Sequence, residues 1–122
     1  MRESEQNLQW ALQALAQPAH RQPGLYPDVE VATDELILEF SEAFRRANAD
    51  GDTDWSEAQR HALRLLNREI EALTASDHPE IWEDNDCLTH PAWERVRQLA
   101  AGALAAFHWL NQAPPVPRGY RP

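Results

Sequence analysis

Apolar residues recur three and four positions apart along most of this chain, the spacing of helices that bury one face. Residues 4–17 place Leu8, Ala11, Leu12 and Leu15 on one such face, and Pro18 ends the pattern. Residues 18–28 hold Pro18, Pro23, Gly24 and Pro27 and read as a loop. Val29 and Val31 flank Glu30, at most a scrap of strand. A second helix is expected after Thr33 or Asp34, either of which suits an N-cap, with an inner face of Leu36, Phe40, Ala43, Phe44 and Ala47. Residues 48–54 are rich in Asp, Asn, Gly and Thr, which are poor helix formers and interrupt it. A third helix starts at Ser56, where Ser56 and Gln59 have capping-box spacing, and carries Ala62, Leu63, Leu66, Ile70 and Leu73. Asp77 and Glu80 mark the start of a short helix bearing Ile81 and Trp82, which the polar residues 83–86 break. The last helix begins near residues 89–91, where Pro91 fits a first turn, and its face is Trp93, Val96, Ala100, Ala103, Leu104 and Phe107.

These segments predict an all-α fold, a bundle of four to five helices in which helices two and three form an antiparallel hairpin. A length of 122 residues suits one domain, expected over residues 1–112, with a flexible, extended Pro-rich tail over 113–122. No apolar run approaches the roughly 20 residues that span a bilayer, and the first residues lack the apolar stretch of a signal peptide. Cys87 is the lone cysteine, so no intrachain disulfide forms and a reducing, cytoplasmic setting is expected.

Charge narrows the choice of partner. The formal net charge is −9, from 20 acidic and 11 basic residues. Nucleic acid and anionic membranes bind by neutralising phosphates and would repel such a chain, whereas a basic protein or a cation would not. Every basic residue is arginine, which excludes Schiff-base chemistry on a lysine. The charge is also uneven: residues 28–57 carry ten acids and two arginines, residues 95–122 four arginines and no acid.

Within the acidic stretch, residues 48–59 read Asn-Ala-Asp-Gly-Asp-Thr-Asp-Trp-Ser-Glu-Ala-Gln, with oxygen side chains at every second place from Asn48 to Ser56. This loop, between two helical segments, resembles an EF-hand calcium loop. The resemblance implies side-chain ligands from Asn48, Asp50 and Asp52, a backbone carbonyl from Asp54, and Ser56 bound directly or through water. Trp55 stands where EF-hands place a core-facing apolar residue. The sequence departs from the pattern at the turn glycine, replaced by Thr53, and at the closing glutamate, replaced by Gln59, and no second loop is present to pair with it. The alternative reading is a polar turn ending in the Ser56–Gln59 capping box, with Asp52 and Asp54 favouring the helix N-terminus electrostatically.

Other constellations are thinner. His78, Cys87 and His90 lie close in sequence, and the Cys87–His90 spacing is one zinc uses, but structural zinc sites take four Cys or His ligands. His90 before Pro91 also suits a helix cap. Nucleotide-binding and nucleophile-elbow signatures are absent from the sequence. The leading expectation is therefore a small acidic helical binding protein rather than an enzyme. Its acidic surface, Glu35, Glu39, Glu42, Asp50, Asp52 and Asp54 with Trp82 as anchor, would engage a basic protein partner. Inhibitors and immunity proteins of bacterial toxins have this physical profile. The alternatives are a weak calcium-binding module centred on Asn48, Asp50, Asp52, Asp54 and Ser56, and a metal-dependent enzyme. Self-association is left open.

Overall fold

The computed structural model describes residues 2–49, 54–76 and 78–115, and among these the regular structure is entirely helical. Five α-helices follow one another: α1 (Glu3–Ala16), α2 (Thr33–Ala49), α3 (Glu57–Thr74), α4 (Pro79–Trp82) and α5 (Pro91–Ala106). Two 3-10 turns, Gln22–Leu25 and Asn85–Thr89, fill the connections before α2 and α5. None of the described helices is long and apolar enough to cross a membrane.

The helix ends are made locally. Gln17, immediately before Pro18, caps α1, its N–H donating to the Ala14 carbonyl. The capping box before α3 is formed in both directions: Ser56 Oγ accepts from the Gln59 N–H at 3.2 Å and Gln59 Oε1 from the Ser56 N–H at 2.9 Å. His90 caps α5 through Nδ1, which accepts the Ala92 N–H at 3.0 Å, with Pro91 in the first turn. α2 departs from expectation at its start. Thr33 lies inside the helix, and its hydroxyl donates to the Trp82 carbonyl at 3.0 Å instead of capping. The adjacent Ala32 N–H is taken by Asn85 Oδ1 at 2.8 Å, so the entry to α2 is tied to the region between α4 and α5. Val29 and Val31 form no strand. Asp77, expected before α4, lies outside the described residues.

The expected stripes pack inward: Leu8, Leu12, Leu15, Leu36, Phe40, Leu63, Leu66, Trp93, Val96, Ala100 and Leu104 form one core. The helices are neighbours in series, however. α1 packs against α2 and α5, and α3 packs against α5, with no comparable contact between α2 and α3. The paired hairpin anticipated for helices two and three is thus not how they pack: they are consecutive in sequence but stand at opposite ends of the series α2–α1–α5–α3.

One charge lies within this frame. Arg97 on α5 is 9% exposed and donates from Nη1 to the Leu88 carbonyl at 2.8 Å and to Gln22 Oε1 at 3.4 Å, while Nη2 and Nε hold Glu94 at 2.9 Å. Gln22, itself fully buried, donates to the Ala14 and Leu15 carbonyls at the C-terminus of α1. A buried guanidinium is tolerated only when its donors are satisfied, and this one links α5, both 3-10 turns and α1. Beyond α5, the chain lies beside α1: Gln13 Nε2 donates to the Leu110 carbonyl at 3.0 Å, and Pro114 is buried. The rest of the Pro-rich tail, residues 116–122, lies outside the described residues.

Candidate interaction surface

As an end member of the series, α2 rests on α1 and leaves its opposite side open. Leu36, Ile37, Phe40, Ala43 and Ala47 turn inward. On the open side a shallow hollow of about 450 Å³ is lined by Glu35, Leu38, Glu39, Ser41, Glu42 and Arg45. Leu38 is 61% exposed, an apolar side chain with the carboxylates of Glu35, Glu39 and Glu42 within one turn of it on either side. Glu42 is held by its own helix. Arg45 Nη2 and Arg46 Nε both donate to Glu42 Oε1, at 2.7 and 2.8 Å, and these bonds keep its carboxyl below the ordinary glutamate range. The face is therefore most acidic toward the start of α2, at Asp34 and Glu35, while Glu39 is half-buried with one carboxylate oxygen covered, and it becomes mixed near Arg45 and Arg46.

The structure divides the acidic residues singled out in the sequence. Glu35, Glu39 and Glu42 share α2. Asp54 is exposed beyond the far end of that helix, which is about 25 Å long for its 17 residues. Asp50 and Asp52 lie outside the described residues. Trp82 belongs to the opposite end, where Thr33 meets its carbonyl; its ring is half-buried and edge-on to Trp93 at 5.7 Å. Leu38, unnoticed in the sequence, is the exposed apolar residue among the α2 carboxylates. Its signal was present: it falls outside the inner stripe of α2.

In the loop that resembles an EF-hand, Asn48 sits in the last turn of α2, and Asn48, Asp54 and Ser56 are exposed. Ser56 and Gln59 are committed to the capping box, and Gln59 Nε2 donates further to the Ala106 carbonyl at 3.2 Å, docking the start of α3 on the end of α5. Trp55 packs edge-on against Phe107 at 5.6 Å, and Phe107 stacks on Trp109 at 4.4 Å. Asn48 and Trp55 border a second hollow of about 180 Å³ with Phe44, Arg60, Leu63 and Arg64, so two cations stand beside the first expected calcium ligand. Thr53, at the turn position, lies outside the described residues.

His78, Cys87 and His90 do not assemble a ligand set. His78 Nδ1 faces Glu80 Oε1 at 3.2 Å, the Cys87 sulfur lies 3.6 Å from Asp84 Oδ1 and 3.8 Å from the Pro79 carbonyl, and His90 spends Nδ1 on its cap. Among the described residues no group of three His, Cys, Asp or Glu is placed to hold a metal ion. Compared with family models, curated proteins and solved structures, the chain matches none of them.

Proposed function

We propose that this chain is a binding protein that docks a basic protein segment on the open side of α2, with an inhibitor-like, occluding role. The observation that carries this reading is Leu38, 61% exposed in a hollow whose lining includes three carboxylates. Interfaces gain affinity from an apolar anchor that becomes desolvated, and gain encounter rate and selectivity from a charged surround. With a net charge of −9, the field of the whole molecule steers cations toward it, and the carboxylates beside Leu38 select where they stop.

The partner suggested by this chemistry is an amphipathic helix with arginine or lysine flanking a leucine stripe. A synthetic peptide of that design is the probe. Its association rate should fall steeply as salt rises, because exposed charges are screened within about 10 Å at 0.1 M. Leu38→Ser should weaken binding about tenfold, the effect of losing a buried aliphatic side chain. Leu65→Ser, at an exposed leucine on α3, should leave it unchanged. Equal loss in both variants would mean that the peptide samples the acidic surface at large, and the proposal would fall.

A further inference from the structure

The hollow between the end of α2 and the start of α3 has the makeup of a small-ligand site, and we infer that it takes an aromatic carboxylate of one ring. Its origin is the serial packing. α2 is carried by α1 and α3 by α5, so their near ends are not sealed against each other, and a space of about 180 Å³ is left. An enclosed apolar cavity of about 150 Å³ holds benzene, so this half-open hollow has room for no more than one ring with a small substituent. Leu63, fully buried, forms the floor; Phe44, stacked on Phe40 at 5.5 Å, and Trp55, braced by Phe107, form the walls. These surfaces match the flat apolar body of a ring.

The rim sets the sign of the ligand's charge. Arg60 and Arg64 sit one turn apart on α3, with Leu63 between them. Arg60 Nε donates to the Trp55 carbonyl at 3.2 Å, and Arg64 Nη2 holds Glu57 Oε1 at 2.8 Å. Both guanidinium groups thus stand at the opening, Arg64 sharing it with the exposed Glu57 carboxylate that an incoming ligand would displace, and forked guanidinium donors pair best with carboxylates. Trp55 adds an aromatic wall, and its indole N–H is buried with no acceptor among the described residues. Asn48 completes the polar edge.

The test is a titration of the full chain with sodium benzoate, and separately with benzamide, its neutral isostere, followed by amide and indole NMR shifts. Benzoate should move Phe44, Leu63, Arg64 and the Trp55 indole signal together at millimolar concentration, and benzamide should need about tenfold more. Arg64→Gln should weaken benzoate about tenfold, the effect of one charge-assisted hydrogen bond. Arg68→Gln, on the same helix but outside the hollow, should change nothing. The inference is overturned if benzoate moves no signal at tens of millimolar, if shifts map elsewhere, or if the Arg68 variant weakens binding as much as the Arg64 variant. Equal binding of benzamide would overturn the assignment of a carboxylate.

Discussion

Arg97 shows how much one side chain can carry in a small core. Its neighbours were not readable from spacing: Gln22 is 75 residues away in sequence, and Leu88 contributes only a backbone carbonyl. In the sequence Arg97 is one of eleven arginines and falls between two core positions, Val96 and Ala100. Replacing it by methionine keeps much of the packing but leaves the buried Gln22 oxygen and the Leu88 carbonyl without their donor. Buried acceptors stripped of a charged partner cost about 1–3 kcal/mol each, so Arg97→Met should lower unfolding free energy by about 2–4 kcal/mol in urea. A loss below about 0.5 kcal/mol would mean that solvent reaches these groups. Leu38 is the opposite case. Its exposure was legible only in part, because a leucine off the inner stripe of a helix faces outward unless another segment covers it.

Among the elements, α1, α3 and α5 were legible nearly to their ends because their signals are local: a proline stop, a capping box, a histidine–proline start. The start of α2 was not. Thr33 looks like an N-cap, but its hydroxyl reaches the Trp82 carbonyl, a contact across 49 residues that no local rule contains. Trp10 likewise lies off the main stripe of α1 yet is buried, because Tyr26 from the following loop packs against it at 5.8 Å. α5 carries its own inefficiency. Gly102 is exposed in the middle of that helix, with nothing within 4 Å of where a β-carbon would stand. Glycine there costs backbone entropy without relieving a clash, so Gly102→Ala should stabilise the protein by about 0.5–1 kcal/mol. Calorimetry should show a melting temperature about 2–5 °C higher. A decrease would mean that the added methyl meets a neighbour after all and would overturn this reading.

For the whole molecule, periodicity revealed which face of each helix is buried but not which helix it meets. The apolar stripe of α2 is as compatible with α3 as with α1, and the short connection favoured the wrong neighbour. What decides the matter is the pair at the centre of the series, α1 and α5, whose leucines and alanines interlock while the outer helices each lean on one of them. The same serial order leaves the outer side of α2 and the gap beside α3 open, the two places where we propose binding; the carboxylates of the first were visible in the sequence, the hollow at the second was not. It also dictates when folding can finish. The central pair joins α1 to α5, so as the chain leaves the ribosome the side of α1 that faces α5 stays uncovered until residues 91–106 have emerged. A chain ending at residue 90 should therefore stay largely unstructured by circular dichroism, and folding of the full chain should be limited by closure of that long loop rather than by formation of any one helix.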